Sequence, residues 1–281
     1  MPKPPSDVLW QRKDIMLVAA GSGPCLRELY YRAVEQGKLQ QLMFCHTTAD
    51  DYTMGTAEEK ITRVIKRAAA VHGVQVVVLY LNCLDILTRL DFDYLESSLS
   101  EATGIMVRYF FRGPLGKMDI RHFKPVYEFM AELPEEKGCI SHNLYQLPPL
   151  ATDVAGVIDT LPANEAKVLV APSGCRACLR DGDLLEQTQG VYVLETKKQD
   201  FIYGIEDNCV KQCSELMSDG KYKSLNLISS AVAAFIGFDG NWVANSMENN
   251  LKTRSFNMDG FNDAVYGVSC AQELLVEEEQ E

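Results

Sequence analysis

The chain has 281 residues, 47% of them hydrophobic, which is enough for two globular domains that each bury a core. Its formal net charge of −12 disfavours nucleic acid as a partner, because phosphates require a basic surface. No apolar run approaches the length of a membrane span, and residues 1–13 are Pro-rich and charged rather than of signal-peptide type. We therefore expect a cytoplasmic protein without membrane partners.

Strands and helices alternate through the first half, after a lead-in over residues 1–13. Apolar runs predict the strands, and amphipathic periodicity predicts the helices. In chain order, the predicted elements are a strand over 14–20, a helix that begins at Pro24, a strand over 41–46, a helix over 56–72, a strand over 74–81, a helix over 91–102 and a strand over 105–111. The valine-rich run at 74–81 is typical of a parallel strand that is covered on both faces.

The second half repeats this alternation after a linker over 117–165, which contains a short helix near 126–133. Its predicted elements are strands near 168–171, 191–195, 224–229 and 254–258, helices near 206–217 and 245–252, and a solvated acidic tail over 271–281. The pattern predicts an α/β protein of two tandem Rossmann-like units with parallel sheets, over 14–116 and 166–270.

Four landmarks recur in both halves at nearly constant spacing. They are a glycine-flanked loop cysteine, a Thr-to-Asp-to-Gly segment, a Phe-Asp pair and a segment that ends in glycine. The pairs are Cys25 with Cys175, Asp51 with Asp200, Phe92 with Phe238 and Gly113 with Gly260, separated by 150, 149, 146 and 147 residues. Such spacing predicts an internally duplicated unit of the size of one α/β domain.

Three of the nine cysteines follow predicted strands, at the edge where parallel sheets bind their ligands. These are Cys25, Cys83 and Cys175, and Cys178 completes a Cys-x-x-Cys element with Cys175. Without a secretory signal, the thiols are expected to be reduced, and some of them to bind metal. Iron–sulfur clusters need about four thiolates that converge from loops.

Four segments of the first half carry a family resemblance. They are Gly-Pro-Cys at 23–25, the Thr-to-Gly stretch 47–55, the apolar strand 78–83 that ends in a cysteine, and the strand end 109–113. In order and spacing they resemble the cluster-bearing domain of the nitrogenase component 1 superfamily. That superfamily includes the nitrogenase molybdenum–iron protein subunits and the dark-operative protochlorophyllide reductases.

The resemblance covers about residues 15–116 and, more weakly, 167–262. It implies that Cys25 and Cys83 are cluster ligands and that the loop residues Gly23 and Pro24 lie against the cofactor. Through the duplication, the same roles extend to the second half, with Gly174 at the cofactor and Cys175 and Cys178 as ligands. Position 229, where the 146-residue offset places the equivalent of Cys83, is serine. The family's subunits have three such domains, whereas this chain is long enough for two.

The resemblance further implies a cofactor and a partner. The cofactor is an iron–sulfur cluster of the 4Fe–4S type, held within one chain or between the chains of a homodimer. The partner is an ATP-dependent reductase of the iron-protein type, which donates electrons that this protein passes to an unidentified substrate. Two other functions remain open: a non-catalytic scaffold or carrier for a cluster or cofactor precursor, and a Rossmann-type small-molecule-binding protein whose cysteines only pack in the core.

The remaining motifs are weaker. No residue is assigned to catalysis. For Asp50, Asp51 and Asp93 a solvated or helix-capping role is favoured, and acid–base catalysis is the alternative. Cys209 and Cys213 share a helix face, where core packing is favoured over metal binding. Cys45 and Cys139 are interpreted as structural. The Gly-x-Gly-x-x-Gly fingerprint of dinucleotide sites is incomplete after Gly23.

The duplication also makes a geometric prediction. The loops of Cys25 and Cys175 are expected to face each other, with Cys83 near both, because thiolates that share one cluster bind it directly. This convergence would occur within one chain or across a twofold axis between two chains.

Overall fold

A computed structural model describes residues 3–88, 90–116, 123–141, 149, 151–172, 190–197, 199–247 and 251–279. The chain divides into two compact units, Met1–Pro149 and Leu150–Glu281. The boundary between them falls inside the segment 117–165, for which the sequence predicts a linker.

The first unit is a four-stranded, wholly parallel sheet with strand order β2-β1-β3-β4. The strands are β1 Ile15–Gly21, β2 Leu42–His46, β3 Val76–Leu81 and β4 Met106–Phe111. The helices are α1 Pro5–Leu9, α2 Gly23–Glu35, α3 Ala49–Thr53, α4 Ala57–Ala69, α5 Cys83–Leu87, α6 Phe92–Thr103, α7 Gly113–Gly116 and α8 Val126–Ala131. Because the strands are parallel, all four end at one edge of the sheet.

Helices cover both faces of this sheet, which explains why β1 and β3 are continuous apolar runs. One core contains Ile61 of α4 and Leu95 of α6, whereas the other contains Leu26 of α2. The second core also includes Trp10 and Phe129, both almost fully buried. Residues inside the predicted lead-in and the predicted linker therefore belong to this second core of the first unit, because their apolar side chains close its outer face.

The second unit repeats the same topology, with strand order β6-β5-β7-β8 and all strands parallel. The strands are β5 Ala166–Val170, β6 Val191–Val193, β7 Ser224–Ser229 and β8 Lys252–Phe256. The helices are α9 Asp153–Thr160, α10 Asp200–Tyr203, α11 Glu206–Met217, α12 Ala231–Phe235, α13 Gly240–Ser246 and α14 Ala264–Glu279. The predicted fold class, two Rossmann-like α/β units with parallel sheets, is confirmed.

Two local predictions differ from the structure. The helix predicted over 245–252 is wrong: α13 begins earlier because Asp239 caps it, accepting a hydrogen bond of 2.9 Å from Trp242 N, and Lys252 already begins β8. Helix α14 also continues to Glu279, through much of the segment predicted as a solvated tail. In the part of the chain that the structure describes, no helix has the length and hydrophobicity required to cross a membrane.

The strand ends correct the alignment between the two halves. β3 ends at Leu81 and is followed by the cap residue Asn82, whereas β7 ends at Ser229 and is followed by the cap residue Ser230. Cys83 therefore corresponds to Ala231 and not to Ser229. The offset of 146 residues does not apply at the strand ends, because Cys83 lies nine residues before Phe92 whereas Ala231 lies seven residues before Phe238.

Candidate functional site

Two of the predicted ligand cysteines lie at the carboxyl edge of the first sheet. Cys25 is in the first turn of α2, directly after β1, and Cys83 is the first residue of α5, directly after β3. Since β1 and β3 are neighbours in the sheet, both thiols lie at the same edge. Cys83 is buried and Cys25 is half-buried.

The sulfur of Cys83 lies close to the backbone of residues Gly113 and Leu115. The backbone N–H of Leu115 donates to it, and a Cβ atom at Gly113 would approach it to 3.0 Å. Burial is the main cause that raises the pKa of Cys83 to about 12, a negative charge on Cys25 raises it further, and the Leu115 N–H lowers it. The free thiol is therefore neutral at pH 7, and a bound cation would be needed to stabilise its thiolate.

Arg112 connects the end of β4 to the cysteine loop. Its guanidinium Nη1 donates to the carbonyl oxygen of Cys25 at 3.0 Å, and its Cζ lies 5.2 Å from the ring centroid of Tyr80. The positive charge of Arg112 also lowers the pKa of Cys83. Arg112 thus fixes the first turn of α2 and offsets negative charge at the thiol pair.

A buried polar chain lies beside the thiols. The Tyr52 hydroxyl donates to Asp85 Oδ1 at 2.9 Å and lies 2.8 Å from Thr47 Oγ1. Burial, followed by the charge of Asp85, raises the pKa of Tyr52, and a charge on Cys25 raises it as well. Since a charge on Cys25 changes the pKa values of both Tyr52 and Cys83, its thiol lies close enough to interact with both groups electrostatically.

Asp85 is the most unusual carboxyl group of this edge, because it is fully buried. Burial raises its pKa to about 6, although hydrogen bonds from the Asn82 N–H and the Tyr52 hydroxyl favour the charged form. Asp85 is therefore able to exchange a proton near neutral pH.

Asn82 holds the start of α5 in place. Its Oδ1 accepts from Leu84 N at 2.7 Å, and its Nδ2 donates to the Ala20 carbonyl at 3.0 Å. Together with Asp85, it forms a capping box. The side chain of Asn82 thereby joins the end of β1 to the helix that carries Cys83.

Asp51 has a structural role in helix α3, between β2 and α4. It forms a capping box with Thr48 and accepts a hydrogen bond of 2.6 Å from Lys60 Nζ. Burial alone would raise its pKa, but the bonds from Lys60, Thr48 and Thr56 together hold the pKa well below its usual range. Of the two interpretations for Asp51, the structure therefore favours the helix cap.

We expect the substitution Thr48→Ala to lower the free energy of unfolding by about 1 kcal/mol, the usual cost of losing a side-chain cap. The hydroxyl of Thr48 accepts from Asp51 N and donates to Asp51 Oδ2, and Ala lacks both bonds. Urea titration measures the difference. Thr48→Ser retains the hydroxyl and is expected to behave like the wild type; equal loss in both variants would refute the role of the cap.

The other predicted site residues are placed as follows. Gly23, which is buried, and Pro24 form the first turn of α2, beside Cys25. Gly174, Cys175 and Cys178 lie outside the described residues, so the predicted meeting of the Cys25 and Cys175 loops stays a prediction. Within the described residues, no group of three or more His, Cys, Asp or Glu side chains is arranged to hold a metal ion.

Apart from the half-buried Cys270, the remaining described cysteines are either core or surface residues. Cys209 and Cys213 are buried in the core of the second unit with their sulfurs 3.9 Å apart, which confirms the prediction that they pack in the core. Cys45 is buried in β2, and Cys139 is exposed.

The corresponding edge of the second unit has different chemistry. Ala231 stands where the first unit has Cys83, and Ser229 Oγ donates to the Met258 carbonyl at 2.6 Å. Burial and the neighbouring charge of Asp259 raise the pKa of Asp153 to about 6 despite a hydrogen bond from Val154 N. In the described part of this edge, the carboxyl groups of Asp153 and Asp259 therefore lie close together, and no thiol follows the strand that corresponds to β3.

Sequence reasoning did not single out Asp85 or its partner Tyr52 as site residues. A local signal existed for Asp85, because Asn82-x-x-Asp85 directly after an apolar strand is a capping-box pattern. Its contact with Tyr52 had no such signal, since 33 residues separate the two.

Comparisons with known proteins add little to this geometry. No protein-family model matches the chain, and no curated protein matches it. Among solved structures, it is similar to tagatose-6-phosphate ketose/aldose isomerase from Escherichia coli, with 10% identity and a TM-score of 0.24 over 97% of this chain and 86% of that one. A TM-score this low supports no argument about function.

Proposed function

We propose that the chain is an iron–sulfur redox protein in which Cys25 and Cys83 are two of the cluster ligands. The observation that carries the proposal is their common position at the carboxyl edge of the first sheet, where a charge on one thiol shifts the pKa of the other. The resemblance of the surrounding motifs to nitrogenase component 1 supports the same function.

The donor chemistry of this edge fits a cluster. A thiol as buried as Cys83 ionises readily only beside a positive centre, which bound iron would provide. The Leu115 N–H that donates to the Cys83 sulfur is the kind of contact that stabilises sulfur ligands and tunes a cluster's potential.

Two thiolates are half of the set that a 4Fe–4S cluster requires. Cys175 and Cys178, or Cys25 and Cys83 of a second copy, are the sources we propose for the other two. The second arrangement would make the protein a homodimer with a self-complementary surface around the cysteine loops.

When bound, the cluster would supply one-electron transfer. The chain's own residues would set the conditions around it: Arg112 would offset the ligands' negative charge, and Asp85 with Tyr52 would hold a proton nearby. By the family resemblance, we propose an ATP-dependent iron-protein-type reductase as the electron donor, with a substrate that is not identified.

The proposal is tested by anaerobic reconstitution with iron and sulfide, followed by iron and acid-labile sulfide analysis and electron paramagnetic resonance. We expect the wild type to become brown and to give a paramagnetic signal in one of its redox states. Cys25→Ser and Cys83→Ser are each expected to weaken cluster retention at least about tenfold, since each removes a direct ligand.

Two other cysteines provide matched controls. Cys45 is buried in the adjacent strand and Cys139 is exposed, so Cys45→Ser and Cys139→Ser test burial and non-specific thiol chemistry respectively. Both are expected to retain the cluster. A wild type that binds no iron, or four variants that bind it equally, would contradict the proposal. Transfer of the cluster intact to an acceptor protein, without redox cycling, would favour the carrier function instead.

A further inference from the structure

A cleft with a volume of about 210 Å³ lies between the edge strand β2 and helix α4, and neither Cys25 nor Cys83 lines it. Phe44 and Val64 form apolar parts of its lining, and His46 lies at the end of β2. Its charged lining consists of Lys60, Arg63 and Arg67. We propose that this cleft binds a small organic or inorganic anion that carries at least two negative charges.

The three cations lie on one side of α4. Their spacing of three and four residues places them on the same helix face, one turn above another. The described residues that line the cleft include no carboxylate side chain. In a chain with a net charge of −12, this concave basic surface would concentrate positive potential and attract anions.

Existing ion pairs neutralise this charge only in part. Lys60 is held by Asp51 at 2.6 Å. Arg63 lies 3.9 Å from Glu59, and both of these side chains are largely exposed, so their attraction is weak. Arg67 is exposed and has no ion pair among the described residues. Two guanidinium groups are therefore available to form paired hydrogen bonds with oxyanions.

The size of the cleft limits the class of ligand. Its volume is below the usual range for drug-sized ligands, about 300–1,000 Å³. It suits a phosphate, a pyrophosphate or a small polycarboxylate, and a concave site of this size favours a small molecule over an acidic protein surface. Phosphate and carboxylate oxygens both accept paired hydrogen bonds from guanidinium groups.

The site does not depend on the proposed cluster, so apoprotein is sufficient for its test. Isothermal titration calorimetry of the full chain with pyrophosphate, citrate and acetate, at one ionic strength, compares the ligand classes. We expect saturable binding of pyrophosphate or citrate and none of acetate. The stronger of the two ligands identifies phosphate or carboxylate as the preferred group.

The decisive variant is Arg63→Gln combined with Arg67→Gln, which leaves the Lys60–Asp51 pair intact. It is expected to weaken binding at least about tenfold, because it removes both guanidinium groups. Lys66→Gln, on the same helix but outside the cleft, removes one positive charge and is expected to retain the wild-type affinity. Circular dichroism verifies that each variant is folded.

The proposal would be overturned by three results: no saturable binding of pyrophosphate or citrate to the wild type, equal weakening by Lys66→Gln and the double variant, or saturable binding of polyglutamate alone. The last result would indicate an acidic polypeptide partner.

Discussion

The substitution Gly21→Ala is expected to lower the free energy of unfolding of the first unit by about 4 kcal/mol, the sum of steric overlap and backbone strain. Gly21 ends β1 with a φ of +140°, a conformation that L-residues with a side chain rarely adopt. A methyl group there would also overlap the side-chain amide of Asn82.

The overlap matters for the site because of what Asn82 does. Displacing its side chain would break the bond from Nδ2 to the Ala20 carbonyl and the cap on Leu84 N. Helix α5 begins at Cys83, so its first turn would lose the anchor that joins it to β1. We therefore expect Gly21→Ala to lose cluster retention as well as stability.

Urea titration followed by circular dichroism measures the effect of Gly21→Ala. The matched control is Gly55→Ala, because Gly55 also has a positive φ, +72°, but a methyl group there meets no atom within 4 Å. Its expected cost is about 1 kcal/mol, from backbone conformation alone. Equal losses in the two variants would contradict the steric role of Asn82.

A second large effect is expected in the pH dependence of stability. The pKa of Asp85 is about 6 in the folded protein, against an ordinary value of 3.8. A carboxyl group whose folded pKa is raised contributes stability that is fully present below the ordinary value and is lost as the pH rises through the folded value. From this group alone, the wild type should lose about 2 kcal/mol between pH 4 and pH 7.

The variant Asp85→Asn removes this titration while retaining an oxygen that can accept from the Asn82 N–H. Relative to the wild type, its free energy of unfolding should rise by about 2 kcal/mol from pH 4 to pH 7, however the two proteins differ at pH 4. Urea titrations at half-unit pH intervals measure the difference. A difference that does not vary with pH would show that Asp85 does not titrate in this range.

Asp51→Asn is a control of opposite sign. The pKa of Asp51 is held low by Lys60, Thr48 and Thr56 against the effect of burial, so its contribution to stability is present above pH 3.8 and is lost as the pH falls below that value. Asp51→Asn should therefore be destabilising at pH 7 and less so in acid. Comparing the two variants therefore separates the effect of burial on the pKa of Asp85 from the effect of hydrogen bonding on the pKa of Asp51.

Local sequence patterns predicted most of the first unit's elements closely. The apolar run at 74–81 contains β3, and the amphipathic stretch 56–72 contains α4. A strand buried on both faces gives a continuous apolar run, whereas a helix buried on one face gives apolar residues at every third or fourth position. The prediction failed at 245–252, where the capping residue Asp239 starts the helix earlier than the apolar pattern indicated. The core roles of Trp10 and Phe129 also depend on long-range packing that no local pattern reveals.

The positions of Cys25 and Cys83 directly after strands follow from local sequence, since a buried apolar run that ends in a polar turn is a local property of the chain. The parallel α/β class also follows from the sequence, because strands that alternate with helices are joined by helical crossover connections, which make neighbouring strands parallel. The side chains that surround the thiols, in contrast, depend on long-range packing. Arg112 reaches the Cys25 carbonyl across 87 residues, and Tyr52 reaches Asp85 across 33, because neighbouring parallel strands bring distant loops to one edge of the sheet.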